Sequence, residues 1–309
     1  VKKDLVYPPY LDYLFENNHH GKWLRKFVAV GARAHGALNV DNKHLMSMPV
    51  PIPPHPTSLV EQQKIADCLS SLDEVIELET QKLEVLKTHK KGLMQQLFPR
   101  EGETTPRLRF PEFRDAGEWE VKTLSKVLNE HKRKSTGAEQ VFSVSVHKGL
   151  VNQIEHLGRS FSATSTDHYN LVWPGDIVYT KSPTGDFPFG IIKQSKLDYS
   201  VIVSPLYAVF SPETIALGTI LDSYFESPEN TKMFLEPLVQ KGAKNTINIS
   251  NSRFLSGTLP LPTDIQEQQR IADCLPSLDE VIAFQAKKLE ALKTHKKGLM
   301  QQLFPQEVD

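Results

Sequence analysis

"LKTHKKGLMQQLFP" occupies Leu86–Pro99 and returns letter for letter at Leu292–Pro305. An identity of that length and mixed composition is not chance. It sits inside a larger repeat, and repeats of this kind decide the architecture. With Glu61–Pro99 set over Glu267–Pro305, roughly 31 of 39 positions are identical. The likeness continues upstream more weakly. "YLDYLFENN" at Tyr10 resembles "ILDSYFESP" at Ile220, "GARAHGALNV" at Gly31 resembles "GAKNTINIS" at Gly242, and "VPIP" at Val50 resembles "LPLP" at Leu259. The first copy carries a few extra residues, "PHPTSLV", before Glu61. The end of one domain plus a helix therefore occurs twice. Only the C-terminal portion of the second domain, about Arg107–Pro262, is echoed in residues 1–60, so most of a first domain is expected to be missing.

The bulk numbers agree with a two-domain globular chain. There are 309 residues, 39% of them hydrophobic, with a formal net charge of -1. With a pI near 6.9, binding to an acidic polymer would have to come from local patches. The two cysteines, Cys68 and Cys274, fall at equivalent points of the repeat and outside any C-x-x-C pair. They read as small core residues in a reducing, cytoplasmic setting. No apolar run is long enough to span a bilayer, and the opening "VKKDLVYPPY" has neither an initiator Met nor a signal-peptide pattern.

Within the repeat the apolar residues step alternately by four and three, the heptad seam of a coiled coil. The first copy gives Ile65, Leu69, Leu72, Ile76, Leu83, Leu86, Leu93 and Leu97. The second gives Ile271, Leu275, Leu278, Ile282, Leu289, Leu292, Leu299 and Leu303. Glu79 and Lys90, then Gln285 and Lys296, are polar seam positions. Pro276 predicts a break near the start, because proline removes a helix hydrogen bond and clashes with the preceding turn. Ser71-Leu72-Asp73-Glu74 and Ser277-Leu278-Asp279-Glu280 have capping-box form. The expectation is a short helix, a kink, then long helices over about Ser71–Phe98 and Ser277–Phe304, ended by Pro99 and Pro305.

A helix with an apolar seam needs a partner, and the other copy is at hand. A pseudo-twofold axis makes the pair antiparallel. One register places Leu72 against Leu303, Ile76 against Leu299, Leu83 against Leu292, Leu86 against Leu289, Leu93 against Ile282 and Leu97 against Leu278. It sets Glu79 opposite Lys296 and Lys90 opposite Gln285, polar layers that fix alignment at some cost in stability. A helix of about 28 residues rises roughly 42 Å, the length of about 12 base pairs, so the pair reads as a ruler. Between the helices, "VFSVSVHKGLV", "DIVYTKS", "FGIIKQS", "SVIVSPLYAVFS" and "NTINIS" read as strands, and "ETIALGTILDSYFESPENTKMFLEPLVQK" as one or two helices. The fold class is α+β: a mixed α/β domain plus two long helices forming an antiparallel intrachain coiled coil.

These segments resemble a known family. "EQQKIADCLSSLDEVIELETQKLEVLKTHKKGLMQQLF" and its second copy look like the conserved spacer of Type I restriction–modification specificity subunits. "LPLPTDIQEQQ" is similar to the run into that spacer, and "LRFPEFRDAGEWEVKTLSKV" and "LVWPGDIVYTKS" resemble its target recognition domains. The resemblance implies a non-catalytic subunit that reads part of a bipartite site on double-stranded DNA. It also implies docking of methyltransferase subunits, two of them, which carry the S-adenosylmethionine, and a separate restriction and translocase subunit. The corresponding division is 1–60, the remnant of a first recognition domain; 61–99, the central spacer; 100–266, the second recognition domain; and 267–309, the C-terminal spacer. The chain itself is expected to hold no cofactor, no metal and no membrane anchor.

Charge alone does not announce a DNA binder, since Arg107–Asp264 is nearly balanced, but clusters exist. Lys132 and Arg133 lie in the basic run His131–Lys134, expected to follow a short helix. His147 and Lys148 lie on a loop with Arg159 near it. Lys181, Ser182 and Thr184 follow the strand "DIVYT" in a Gly/Pro loop. Lys241, Lys244, Asn245 and Thr246 join cations, glycine and amides; Asn can pair with adenine while Lys meets phosphate or guanine. Lys181 and Lys244 rank first, as positioning contacts. A basic stripe, Lys87, His89, Lys90 and Lys91 with Lys293, His295, Lys296 and Lys297, is either solvated or a docking face.

Other chemistries find little support. "YPPY" at Tyr7 lacks the amide or carboxylate that an amino-methyltransferase motif needs, and reads as a turn. Asp115 with Glu120 and Lys122 is a poor nuclease site, and Trp119 with Val121 reads better as packing at the domain's opening. No nucleotide-binding loop appears. The rival of another class is a non-catalytic interaction scaffold built on the same coiled coil.

Overall fold

The computed structural model describes residues 4–27, 41–54, 56–154, 166–241 and 247–305. It divides into two units, Val1–Lys87 with Glu280–Asp309, and Thr88–Asp279. Both long helices contribute to both units. The α+β class with two long helices is what the periodicities require.

In the first unit the prolines of "YPPY" start a helix: Tyr7 is the N-cap of α1 (Pro8–Glu16), with proline in the first turn where its missing N–H costs nothing. Helices α2 (His19–Leu24) and α3 (Asn42–Met46) follow. They accompany the greater part of α4 (Ser58–Leu97), one of the two long helices. A core of Tyr10, Leu14, Leu69, Met300 and Phe304 joins α1 to both long helices, with Ile65, Leu299 and Leu303 packed against it.

The second unit carries two four-stranded sheets, ordered β2-β9-β6-β7 and β4-β3-β8-β5. The strands are β1 (Glu120–Thr123), β2 (Leu128–Glu130), β3 (Val141–Ser145), β4 (Gly149–Asn152), β5 (Asn170–Val172), β6 (Ile177–Thr180), β7 (Ile191–Gln194), β8 (Val201–Val203) and β9 (Ala208–Pro212). Every residue of β6, β7 and β8 is buried. Such continuous runs of burial mark strands covered on both faces. Helix α5 (Ile215–Tyr224), capped by Thr214 through Leu217 N, packs against β7 and β9, and α6 (Pro228–Leu235), capped by Ser227 through Asn230 N, follows it. After the two-stranded β10 (Gln240–Lys241) and β11 (Ile247–Asn248) come α7 (Asn251–Ser256) and β12 (Thr258–Leu261), which pairs with β1. The last element is α8 (Ile265–Leu303). Tyr179, Phe210, Phe225, Phe234 and Phe254 form a ring cluster in the main core, into which Leu97, Ile271 and Leu275 also pack.

Three expectations about the long helices need correction. The first is the break. α4 and α8 run unbroken for 40 and 39 residues, and Pro276 lies inside α8. The serines do not cap forward; Ser71 Oγ donates back to Asp67 O and Ser277 Oγ to Cys274 O. One lost hydrogen bond at Pro276 is outweighed by the packing of Ile271 and Leu275 on one side and Leu289 on the other, all buried. The second is Cys68, which is exposed, while Cys274 is half-buried. The buried neighbours are Ala66 and Leu69, so the cysteine lies a step off the seam.

The third is register. All twelve seam residues proposed from Leu72 to Leu303 are buried or half-buried, but the ion pairs and hydrogen bonds between the helices are displaced by about one heptad from the proposed alignment. Gln285 Nε2 donates to Glu79 Oε2 at 2.6 Å, whereas the expected partner was Lys90. Lys90 Nζ instead meets Asp279 Oδ1 at 2.6 Å and Glu226 Oε2 at 2.7 Å. Lys296 Nζ meets Asp73 Oδ1 at 2.7 Å and Glu16 Oε1 at 2.6 Å, in place of Glu79. Layer matching cannot tell registers one heptad apart, because the seam repeats every seven residues. The ammonium groups can, since an amine on a closed seam must find carboxylates. The basic stripe is correspondingly broken up: Lys90 and Lys296 are consumed in these clusters, and Lys87 and Lys293 pair with Glu84 and Glu290.

Burial alone would pull the Lys90 pKa down, but the hydrogen bonds that its ammonium donates to Asp279 and Glu226 outweigh it and hold the group above its ordinary value. A raised folded-state pKa gives stability that is whole below about pH 10 and is lost as pH rises through the folded-state value. Lys90→Met should therefore lower the unfolding free energy obtained by urea titration at pH 8 by about 1–3 kcal/mol, and the gap to the parent should narrow above about pH 10.5. Leu275→Ala, in the buried core beside it, should cost about 2–5 kcal/mol at both pH values.

Candidate nucleic-acid interface

The strand registers gather several loops of the second unit at one end of its sheets. β8 and β9 are joined by a tight turn in which Tyr207 N donates to Ser204 O. β9 is antiparallel to β6, with Ala208 opposite Tyr179, so the loop that begins at Lys181 leaves beside that turn. β3 is parallel to β8, with Phe142 opposite Val203, so β3 also runs toward it and its hairpin turn emerges there. β5 begins there too, since Asn170 lies opposite Val203. Four connections therefore meet at one rim: Val146–Lys148, Lys181–Gly190, Ser204–Tyr207 and the approach to Asn170.

Of the sequence-derived candidates, His147 and Lys148 occupy the β3–β4 turn and are exposed; Lys148 N is held by Ser145 Oγ at 3.4 Å. Ser182 and Thr184 are exposed in the β6–β7 loop, where Thr184 and Phe187 exchange backbone hydrogen bonds. Gly190 closes that loop at φ 102°, and a Cβ there would stand 1.8 Å from the Thr180 carbonyl oxygen. The turn thus demands glycine. Lys181 is half-buried, and burial pulls its pKa down while Glu130 opposes the shift.

Lys132 and Arg133 are exposed, but they follow strand β2, not a short helix. Arg133 O accepts from Leu171 N, which ties the run to β5. Lys134 reaches the rim by binding His168 O at 3.0 Å and Asn170 Oδ1 at 2.6 Å. The run's first residue, His131, is pinned at the other end of β6: its Nε2 is 2.9 Å from Asp176 Oδ2 and its ring stacks on Trp173. Asp176, 2% exposed, also accepts from Trp173 N and Ser211 Oγ. Lys241 ends β10, a two-stranded ribbon with no register tie to the rim. Arg159, Lys244, Asn245 and Thr246 lie outside the described residues.

The rim also contains what residue-type reasoning missed. Leu206, at 79% exposed, stands in the Ser204–Tyr207 turn, and Asn170 Nδ2 braces that turn through Tyr207 O at 2.8 Å. Read as unbroken strand, "SVIVSPLYAVFS" hides the turn; its Ser-Pro-Leu-Tyr step was the available signal. The surface is therefore mixed: lysines and the histidines His147 and His168, with Asp167 and Asp186 among them and the exposed Leu206. That composition suits a few directed contacts more than a general polyanion trough.

Trp119 is buried, as expected at the domain's opening, but Val121 is 55% exposed, and Lys122 pairs with Glu120 at 3.4 Å. Among the described residues no cluster of three or more His, Cys, Asp or Glu side chains is placed to hold a metal ion. Among them, too, no helix is long and apolar enough to cross a membrane.

Comparison with known proteins supplies the family. The Type I restriction modification DNA specificity domain model matches residues 5–88 and 198–294. Among curated relatives, the putative type I restriction enzyme MjaX specificity subunit of Methanocaldococcus jannaschii is 25% identical over 309 residues, covering 96% of this chain and 67% of that protein. The MjaVIII specificity subunit of the same organism is 26% identical over 300 residues, covering 90% and 66%. The chain thus spans about two-thirds of the length of these relatives. Among solved structures, the type I restriction–modification S subunit from M. genitalium shares the fold at a TM-score of 0.56 and 13% identity, covering 98% of this chain and 74% of that one. The HsdS subunit from Thermoanaerobacter tengcongensis does so at 0.50 and 16%, covering 98% and 71%. With the family model matching more than half of its residues, and with a duplicated long helix and a mixed recognition fold in hand, this chain belongs to the Type I restriction modification DNA specificity family.

Proposed function

We propose that the chain is a DNA-recognition subunit of a Type I restriction–modification complex and is not itself the catalyst. Residues 100–266 are the recognition domain, and the rim of loops around Lys148, Lys181 and Leu206 reads part of a bipartite target. Residues 61–99 and 267–309 are the spacers, and residues 1–60 belong with a further recognition domain. The observation that carries this reading is the convergence of four loops at one rim, two of them bearing the lysines Lys148 and Lys181, in a chain of this family. Backbone and lysine contacts position such a domain on phosphates, and the remaining side chains at the rim select bases.

The modification subunits dock on the spacer helices, and a restriction and translocase subunit completes the assembly. The outer faces of both helices support this. Val75, Leu78 and Val85 on α4, and Val281 and Phe284 on α8, are exposed although they lie off the seam. Apolar side chains set in rows at helical spacing are the surface that a partner helix takes.

Fluorescence anisotropy with a pool of randomised duplexes, with and without the modification subunits, tests the reading. Sequence-preferring binding is expected at least in the presence of those subunits. Lys148→Ala and Lys181→Ala should each weaken binding across all sequences and reduce the log–log salt slope by about one. Absence of sequence preference under both conditions would leave an interaction scaffold instead.

A further inference from the structure

The duplication allows the surroundings of the two long helices to be compared residue by residue. In the second copy Ser250 caps α7 through Arg253 N, Gly257 N donates to Phe254 O, and β12 follows. In the first copy Asp41 caps α3 through Lys43 N, Met48 N donates to Leu45 O, and Pro49-Val50-Pro51-Ile52 stands where Thr258-Leu259-Pro260-Leu261 stands. The local folding is the same, but the surroundings are not. Leu259 and Leu261 are 5% and 3% exposed, whereas Val50 and Ile52 are 36% and 40% exposed.

What covers β12 is known. β1 pairs with it, Thr123 opposite Thr258 and Glu120 opposite Leu261. Upstream of β1, Arg109 grips Glu267 with Nε on Oε1 at 2.6 Å and Nη2 on Oε2 at 2.7 Å. Arg270 lies over the Phe110 ring and pairs with Glu112. Glu267 is 1% exposed. Its counterpart Glu61 is exposed, as is Lys64, the counterpart of Arg270, and among the described residues no lysine or arginine meets Glu61.

Backbone parity makes the correspondence sharper. Leu124 N donates to Gly257 O, so Gly257, Leu259 and Leu261 turn their hydrogen-bonding groups toward β1 and Pro260 turns away. In the first copy Pro49 O and Pro51 O are already used on the inner side, by His19 Nε2 and Tyr10 OH, both at 2.9 Å. Val50 and Ile52 keep their N–H groups on the other side, because the prolines alternate with them.

We infer that Val50–Ile52 is an open strand edge and that, with Glu61, it is a docking site for a segment built like Arg107–Leu124. The occupant is the opening of another recognition domain: an arginine beside an aromatic residue, then a short strand. The arginine takes the Glu61 carboxylate, and the strand takes the Val50 and Ile52 backbone. This rests on the repeat and the second copy's own packing, and it stands or falls separately from DNA reading.

The test uses a fluorescein-labelled peptide of residues 107–124 titrated with the full chain and followed by anisotropy. Saturable binding is expected, with slower amide exchange at Val50 and Ile52. A peptide carrying Arg109→Glu should bind about tenfold more weakly, and a chain carrying Glu61→Arg should recover it. Recovery by Glu61→Arg separates this site from displacement of the chain's own segment at Glu267. No saturable binding at millimolar peptide, or binding indifferent to Arg109→Glu, overturns the inference. So does sedimentation showing a dimer that the peptide does not reverse, since a second copy would then fill the edge.

Discussion

Two lysines hold the repeat in register. Lys90 and Lys296 occupy the same position of the two copies, and each is met by the aspartate of the opposite helix, Asp279 and Asp73. Each also receives a glutamate from a short helical segment packed alongside, Glu226 in one unit and Glu16 in the other. Lys90 and Lys296 side chains are only 9% and 11% exposed, so their amines need these oxygens. The pairing is the same at both sites because the two copies repeat the lysine, the aspartate and the glutamate at equivalent positions. Hydrophobic layers supply most of the association, but they are indifferent to a slip of seven residues. Charge placement is what makes one alignment unique.

The clusters also bring each globular part onto its stretch of helix. Around Lys90, Glu226 follows α5, whose Leu221 and Tyr224 pack in the core that contains Leu97 and Leu275. Around Lys296, Glu16 ends α1, whose Tyr10 and Leu14 pack with Leu69 and Phe304. The weak likeness between "YLDYLFENN" and "ILDSYFESP" thus has a physical basis: the same helix, with the same carboxylate at its end, answers the same lysine. In the recognition domain the buried strands β6, β7 and β8 give the rim loops a stiff base, as a site assembled from loops requires.

Much of the fold was legible because its signals are local. The heptad steps placed all twelve seam residues on the closed face, and the β-branched runs found β3, β4, β6, β7, β8, β9 and β11. Strands β1, β2, β5, β10 and β12 escaped, β10 inside a stretch read as helix; β1 and β12 mix charged, proline or threonine residues with few β-branched ones and are paired only with each other. Of the candidate site, residue type alone led to His147, Lys148, Lys181, Ser182 and Thr184, all on loops that converge. It could not show that Lys134 is spent bracing Asn170, or that Leu206 stands among them, because both facts depend on strands far apart in the chain.

By itself, the order of amino acids determined the duplication, the two amphipathic helices, the α+β class and the kinds of side chain at the loops. These follow from periodicity and composition, which act over a few turns or a few residues. Tertiary structure alone decided the alignment of the helices, the survival of α8 through Pro276 and the exposure of Cys68. It also decided the burial of Leu259 and Leu261 while Val50 and Ile52 stay open. The physical reason is common to all four. Local rules compare alternatives that differ by small amounts, and those differences are overridden once burial and the pairing of buried charge are summed over residues that meet only in the folded chain.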